Sequence, residues 1–283
     1  MKKKTFAAVA LVAAAMLTVT GCSGSKLQQE DEASGSSTAK ADKLIFGVSN
    51  GYPPMEYTDP ETKEFTGFDV DLGNAIAEEL GKEAVWEEME FDQLINSLKT
   101  SRVDATMSGM SDTVERQETI DFVDYVKDGP QFFTSNTQAA EVKTRADLCG
   151  TKVGTVSGTT YVERIEEWSA ENCPADQAIE VLRMAEGTDV LLQLKQDRIA
   201  GAMLGTVSLA YQLTLNPDTY TLVEEPLSED LYGIGVKKGN EALLTEIHDA
   251  IEKLREDGTY DELLTKYGLE DYGVDEVTIN LGE

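Results

Sequence analysis

Apolar and polar positions along this chain change their period repeatedly. Short runs dense in Leu, Ile, Val and Phe alternate with stretches whose apolar residues recur every three or four positions. The first kind predicts buried strands, the second amphipathic helices. Residues 44–48 predict a strand, 68–80 a helix stopped by Gly81, 85–87 a short strand, 92–101 a helix and 105–107 a strand. Beyond Thr137 the alternation restarts, with strands at 152–156, 179–184 and 201–204 and helices at 160–168, 189–196 and 206–215. A strand at 232–236 then precedes helices at 241–256 and 260–267, and from Asp271 no pattern is visible. Such alternation builds α/β units, parallel sheets covered by helices on both faces, with ligands at the carboxyl ends of the strands.

The first 42 residues do not fit that pattern. Lys2, Lys3 and Lys4 precede a small apolar run at 6–20 that ends in Val19-Thr20-Gly21-Cys22. The run is too short to span a bilayer and has the form of a signal peptide. Its end resembles a bacterial lipobox, which predicts a leader at 1–21 and acylation of Cys22. Residues 22–42 are rich in Ser, Gly, Ala, Gln and charge and predict a flexible tether. A tether of that length reaches roughly 25 Å. The expected location is therefore outside the cytoplasm, with the membrane touched only through lipid.

Cysteine and charge add to this picture. Beyond Cys22 only Cys149 and Cys173 remain, an even pair that suggests one disulfide in an oxidising compartment. The loop it closes would restrict the unfolded chain by ~3.5 kcal/mol. His248 is the only histidine, so a metal site is not expected, and neither is another cofactor. The formal charge is −29, and without the three leader lysines the count is 21 − 53 = −32. Such a surface repels nucleic acid and anionic lipid heads.

One segment carries the candidate chemistry. In Met107-Ser-Gly-Met-Ser-Asp-Thr-Val-Glu-Arg116 a short apolar stretch ends in Ser108-Gly109, and Ser111 and Asp112 open a helical turn bearing Arg116. Asp112 and Glu115 fit an Asp-x-x-Glu form of helix cap. Free amides, hydroxyls and a guanidinium then converge on a small volume, which suits a carboxylate. Gly158-Thr159-Thr160 offers further free amides where a second-lobe helix begins.

Several separated segments together resemble one family, the extracellular solute-binding proteins of polar amino-acid ABC importers. Tyr52-Pro-Pro-Met-Glu-Tyr, Gly67-Phe-Asp-Val-Asp-Leu72, Phe91-Asp-Gln-Leu-Ile-Asn-Ser-Leu98, Gly154-Thr-Val-Ser-Gly-Thr-Thr160 and Asp257-Gly-Thr-Tyr260 follow the family's order. The resemblance spans about 44–268. It implies a type II periplasmic-binding-protein fold, two lobes joined by two hinge strands: lobe one at 43–132 and 231–270, lobe two at 139–224, hinges at 133–138 and 225–230, and a tail at 271–283. It further implies that Arg116 grips an α-carboxylate, that Ser108, Gly109, Ser111, Thr159 and Thr160 complete the oxygen sites, and that Tyr52 and Phe91 pack against the ligand. Cys149 resembles one half of a lobe-two disulfide found in some members.

At residue 205 the chain departs from the family. Members place an aspartate there to hold the ligand's α-ammonium, and this chain has Leu204-Gly205. Ala200 and Ser49 stand where other members carry acids. An uncompensated ammonium in a closed cleft costs several kcal/mol. Either Glu56, Glu229 or Asp230 substitutes, or the ligand is a carboxylate with a neutral or missing α-substituent, and the loss of the aspartate at 205 favours the second. A basic amino acid is not expected. The function implied is a monomeric, lipid-anchored, non-enzymatic receptor for an amino acid or related small carboxylate, serving ABC permease subunits. The competing reading is an enzyme on the same scaffold, of the dehydratase kind.

Overall fold

The computed structural model describes residues 43–282. The leader at 1–21, Cys22 and the tether lie outside the described residues. The chain begins with β1 (Lys43–Val48), the small hairpin β2 (Tyr57–Thr58) and β3 (Phe65–Thr66), α1 (Phe68–Glu79), β4 (Glu83–Glu88), α2 (Leu94–Lys99), β5 (Ala105–Thr106), the single turn α3 (Val114–Gln117) and β6 (Ile120–Asp128). A second group follows: β7 (Pro130–Ser135), β8 (Lys152–Val156), α4 (Thr160–Asn172), β9 (Glu180–Met184), α5 (Gly187–Lys195), β10 (Gly201–Gly205), α6 (Thr206–Leu215) and β11 (Tyr220–Leu222). The chain then returns through β12 (Asp230–Lys237), α7 (Glu241–Glu256), α8 (Thr259–Tyr267) and β13 (Gly273–Ile279).

Apart from the β2-β3 hairpin, these strands form two sheets, ordered β13-β6-β12-β5-β1-β4 and β11-β7-β10-β8-β9. Each is mixed rather than purely parallel. The parallel halves, β4-β1-β5 and β9-β8-β10, come from strand–helix–strand units. The antiparallel halves arise because the chain passes between the lobes in strands that run straight on: β12 pairs antiparallel with β6 and β5 in the first sheet, and β7 with β10 and β11 in the second. Gly129 alone separates β6 from β7, and residues 223–229 make the return. The hinge expected at 133–138 is thus misplaced: Phe133 and Thr134 sit buried inside β7, paired with β10 and β11. Residues 131 and 132 belong to the second lobe as well.

Core formation follows the sequence periods. On α7 the buried positions are Leu243, Leu244, Ile247, Ala250, Ile251 and Leu254, one stripe at three- and four-residue spacing. They pack with Phe46, Phe68, Leu72 and Ile76 in the first-lobe core. Phe132, Leu148, Val153, Ile165 and Met203 fill the second lobe. A third cluster is continuous across both lobes, from Phe91 and Met110 to Val156, Val190 and Leu204, so the lobes are closed on one another. A disulfide joins Cys149 to Cys173, Cα to Cα 5.5 Å, tying the loop before β8 to the end of α4. Among the described residues no helix is long and apolar enough to cross a membrane.

The expected tail at 271–283 is instead built into the first lobe. β13 pairs antiparallel with the outer side of β6 and buries Val274 and Val277. Thr278 Oγ1 donates to Asp124 Oδ2 at 2.8 Å, and Phe122 N donates to Asn280 Oδ1 at 2.8 Å. Acidic residues interrupt its apolar pattern because only one face is covered. Deleting residues 273–283 should lose the burial of two valines, about 3–6 kcal/mol, and lower the melting temperature by about 10 °C. An unchanged thermal transition would mean that the strand contributes nothing and behaves as the tail the sequence suggested.

Candidate functional site

Strand ends and helix starts from both lobes meet around one cavity. The first lobe contributes Ser49, Asn50, Tyr52 and Glu56 after β1, Phe91 before α2, Ser108, Gly109 and Ser111 after β5, and Arg116 on α3. The second lobe contributes Val156 and Thr159 after β8, Thr160 and Tyr161 on α4, and Glu186 with Gly187 at the start of α5. Eight of the nine expected binding residues therefore border one space, and Gly205 does not. Sequence reasoning missed Tyr161 and Glu186. Both lie where a parallel strand hands over to a helix, the rule already used for Arg116 and Thr160 but not applied to the turn after β9.

Arg116 is fixed by backbone rather than by acids. Thr113, not Asp112, caps α3, its Oγ1 accepting from Arg116 N at 3.3 Å. Asp112 is drawn elsewhere: it accepts from Gln117 Nε2 at 2.9 Å and from Gly282 N at 2.8 Å, so the end of the chain braces the turn. Arg116 Nη1 donates to Ser111 O at 2.8 Å, and Nη2 reaches across the lobes to Gly158 O at 3.0 Å. The Phe91 ring lies 5.7 Å from its Cζ. No carboxylate stands within 4.0 Å of it among the described residues. Burial pulls its pKa below the usual arginine value, and three of its five N–H groups are unspent.

Facing it is the start of α4. Thr159 Oγ1 bonds back to Val156 O at 2.7 Å and does not cap the helix, and Thr160 Oγ1 is buried without a partner. Amides here are free for an anion, the chemistry of a helix N-terminus. Gly158 makes the approach possible: its φ is +75°, and a Cβ on it would lie 2.7 Å from Asp92 Cβ in the other lobe.

Acidic groups lie deeper. Glu56 accepts from Ser108 Oγ at 2.8 Å and sits beside Asp69, which accepts from Gly109 N at 3.0 Å and Tyr125 Oη at 2.7 Å. Burial, then the Asp69 charge, push the Glu56 carboxyl well up, and burial raises Asp69 to about 7. Glu229 and Asp230 do not line the cavity. The sequence left the neighbourhood of Gly205 without an acid, and the structure corrects this. Asp128, at the end of β6, is buried there and accepts from Val207 N at 3.1 Å, Thr206 Oγ1 at 3.2 Å and Tyr161 Oη at 3.0 Å. Burial raises its pKa to about 6 against those hydrogen bonds.

Known proteins resemble this chain along most of its described length. Residues 44–270 match the model of the bacterial extracellular solute-binding proteins, family 3. The L-arginine-binding protein of Pseudomonas aeruginosa is 34% identical over 238 residues, covering 81% of this chain and 90% of that protein. The ABC transporter glutamine-binding protein GlnH of Bacillus subtilis is 29% identical over 279 residues, 95% of this chain and 98% of that one. A crystal structure of a variant of ArgBP from T. maritima superposes with a TM-score of 0.72 at 33% identity, over 80% of this chain and 95% of that chain.

The buried carboxyls give the ligand-free protein a signed pH response. Asp128, Asp69 and Asp124 have folded pKa values of about 6, about 7 and about 7, above the ordinary aspartate value, and burial is the first cause in each. The folded state thus holds protons that the unfolded chain releases. Stability is greatest below the unfolded values and falls as pH rises through the folded ones. The melting temperature should rise between pH 8 and pH 5.5, and a fall over that interval would contradict the assignment.

Proposed function

Because the chain belongs to the bacterial extracellular solute-binding proteins, family 3, we propose that it is the lipid-anchored receptor of an ABC importer, closing on a polar L-amino acid and presenting it to the permease. One observation carries this. A chain with 53 acidic and 24 basic residues borders this cavity with Arg116, which makes no ion pair among the described residues. The missing anion is then the ligand's carboxylate. The guanidinium fork takes it in two parallel bonds, and the Thr160 hydroxyl and α4 amides meet it from the other lobe. Ligand binding and lobe closure are thereby one event.

Glu186 and Asn50 at the cavity wall suit a side chain that donates hydrogen bonds. The relatives are named as binding proteins, for arginine and for glutamine in the two described. That supports capture over turnover. Lipid attachment through Cys22 and delivery to a permease rest on the lipobox and on family membership.

Calorimetry with the standard L-amino acids on the mature protein should find a ligand. Arg116→Ala should weaken that ligand by about 2–5 kcal/mol, and Arg116→Lys should also weaken it through loss of the fork. Unchanged affinity in a folded Arg116→Ala protein would remove the carboxylate assignment. Cys22→Ser should release the protein from the membrane fraction, and retention there would remove the anchor.

A further inference from the structure

Gly205 and Asp128 occupy one another's space. A Cβ built on Gly205 would lie 2.5 Å from both carboxylate oxygens of Asp128 and nearer still to Tyr232 Oη. No side chain fits at residue 205 while Asp128 points there. The negative charge at this corner therefore enters from the end of β6, not from β10.

Three tyrosine hydroxyls lie between that charge and the cavity, and their hydrogens can be counted. Tyr161 has one, and it goes to Asp128 Oδ2 at 3.0 Å. In the 2.8 Å contact between Tyr161 and Tyr232, the donor must then be Tyr232. In the 2.9 Å contact between Tyr232 and Tyr52, the donor must be Tyr52. Tyr52 Oη in turn accepts from Gly205 N at 3.0 Å. The chain runs one way, from the Gly205 amide through Tyr52, Tyr232 and Tyr161 to the carboxylate. Every hydroxyl hydrogen is spent inside it, and only lone pairs remain for a ligand.

Tyr52 and Tyr161 both border the cavity. Their corner can accept hydrogen bonds and cannot donate them. The Arg116 and Thr160 side of the same cavity is rich in donors. The Asp128 charge deepens the polarity, adding to burial in pushing the pKa of all three tyrosines up. We propose that Asp128, acting through Tyr161, Tyr232 and Tyr52, is the amine-selecting corner of the cavity, so that the ligand must bear an N–H donor, an α-ammonium, beside its carboxylate. This deepens the binding reading above and rests on it. It also answers the question posed by Gly205: a carboxylate lacking the amine would set no donor against this corner and leave the charge behind it uncompensated.

The test uses the mature protein, the tightest-binding standard L-amino acid and the same molecule with its α-amine replaced by hydrogen. Wild type should prefer the amino acid by at least about 100-fold, the penalty expected where a site's polar groups go unmatched. Asp128→Asn and Tyr161→Phe should each cut that preference below about tenfold, by weakening the amino acid while the deaminated analogue stays within about threefold. Arg116→Ala should weaken both molecules, separating the two ends of the site. Equal binding of both molecules by wild type overturns the proposal without any variant. So does a folded Asp128→Asn protein that keeps the full preference. Failure of every amino acid to bind wild type overturns the receptor reading itself.

Discussion

A guanidinium held by backbone oxygens, with no direct ion pair among the described residues, organises this protein. In a chain so rich in acid, that missing pair is specific. Its posture is held by backbone oxygens on both sides of the lobe seam, Ser111 O and Gly158 O. Much of the surrounding architecture supports those two bonds. β5 delivers the Ser108–Ser111 segment, Thr113 caps the single turn of α3, and Asp112 accepts from Gln117 Nε2 and Gly282 N. Gly158 lets the second lobe come close enough to share the load.

The same seam explains the mixed sheets. Two lobes that close on a small solute need connections that bend without losing their pairing. Here β6 runs into β7 through Gly129 alone, and the return at 223–229 lies beside it, with Leu227 N donating to Pro130 O at 2.9 Å. Asp128 stands at that crossing, one residue before Gly129. A charge placed there senses both lobes: it accepts from Val207 N and Thr206 Oγ1 on α6 and from Tyr161 on α4 while its own backbone belongs to the first sheet. Second-lobe groups are thus tied to a single first-lobe carboxylate at the crossing between the lobes.

Local patterns in the sequence were informative where one face of an element is buried. The stripe on α7, the strands at β1 and β8, and the strand-end turns carrying Arg116 and Thr160 could all be read without coordinates. What escaped reading depends on contacts distant in sequence. β13 alternates weakly, and its place is set by β6, some 150 residues earlier, through Asp124 and Phe122. The first crossing was put too late because the run from Ile120 to Ser135 mixes apolar residues with Asp121, Asp124, Lys127 and Asp128, and its pattern does not single out the one glycine that divides it. Asp128 could not be linked to Gly205 from sequence, since neither spacing nor motif brings residues 77 positions apart into one volume. Only the missing side chain at 205 hinted that another group had taken its place.

Arg116 and the Asp128 corner grip the carboxylate and the ammonium of one amino acid. A crystal structure of the mature protein with its tightest amino-acid ligand tests this most directly. The account predicts the ligand carboxylate paired in two bonds with the Arg116 guanidinium and met by the start of α4, with the ammonium against the Tyr52 and Tyr161 hydroxyls. A ligand bound with its carboxylate away from Arg116, or with its ammonium facing away from those tyrosines, would contradict it.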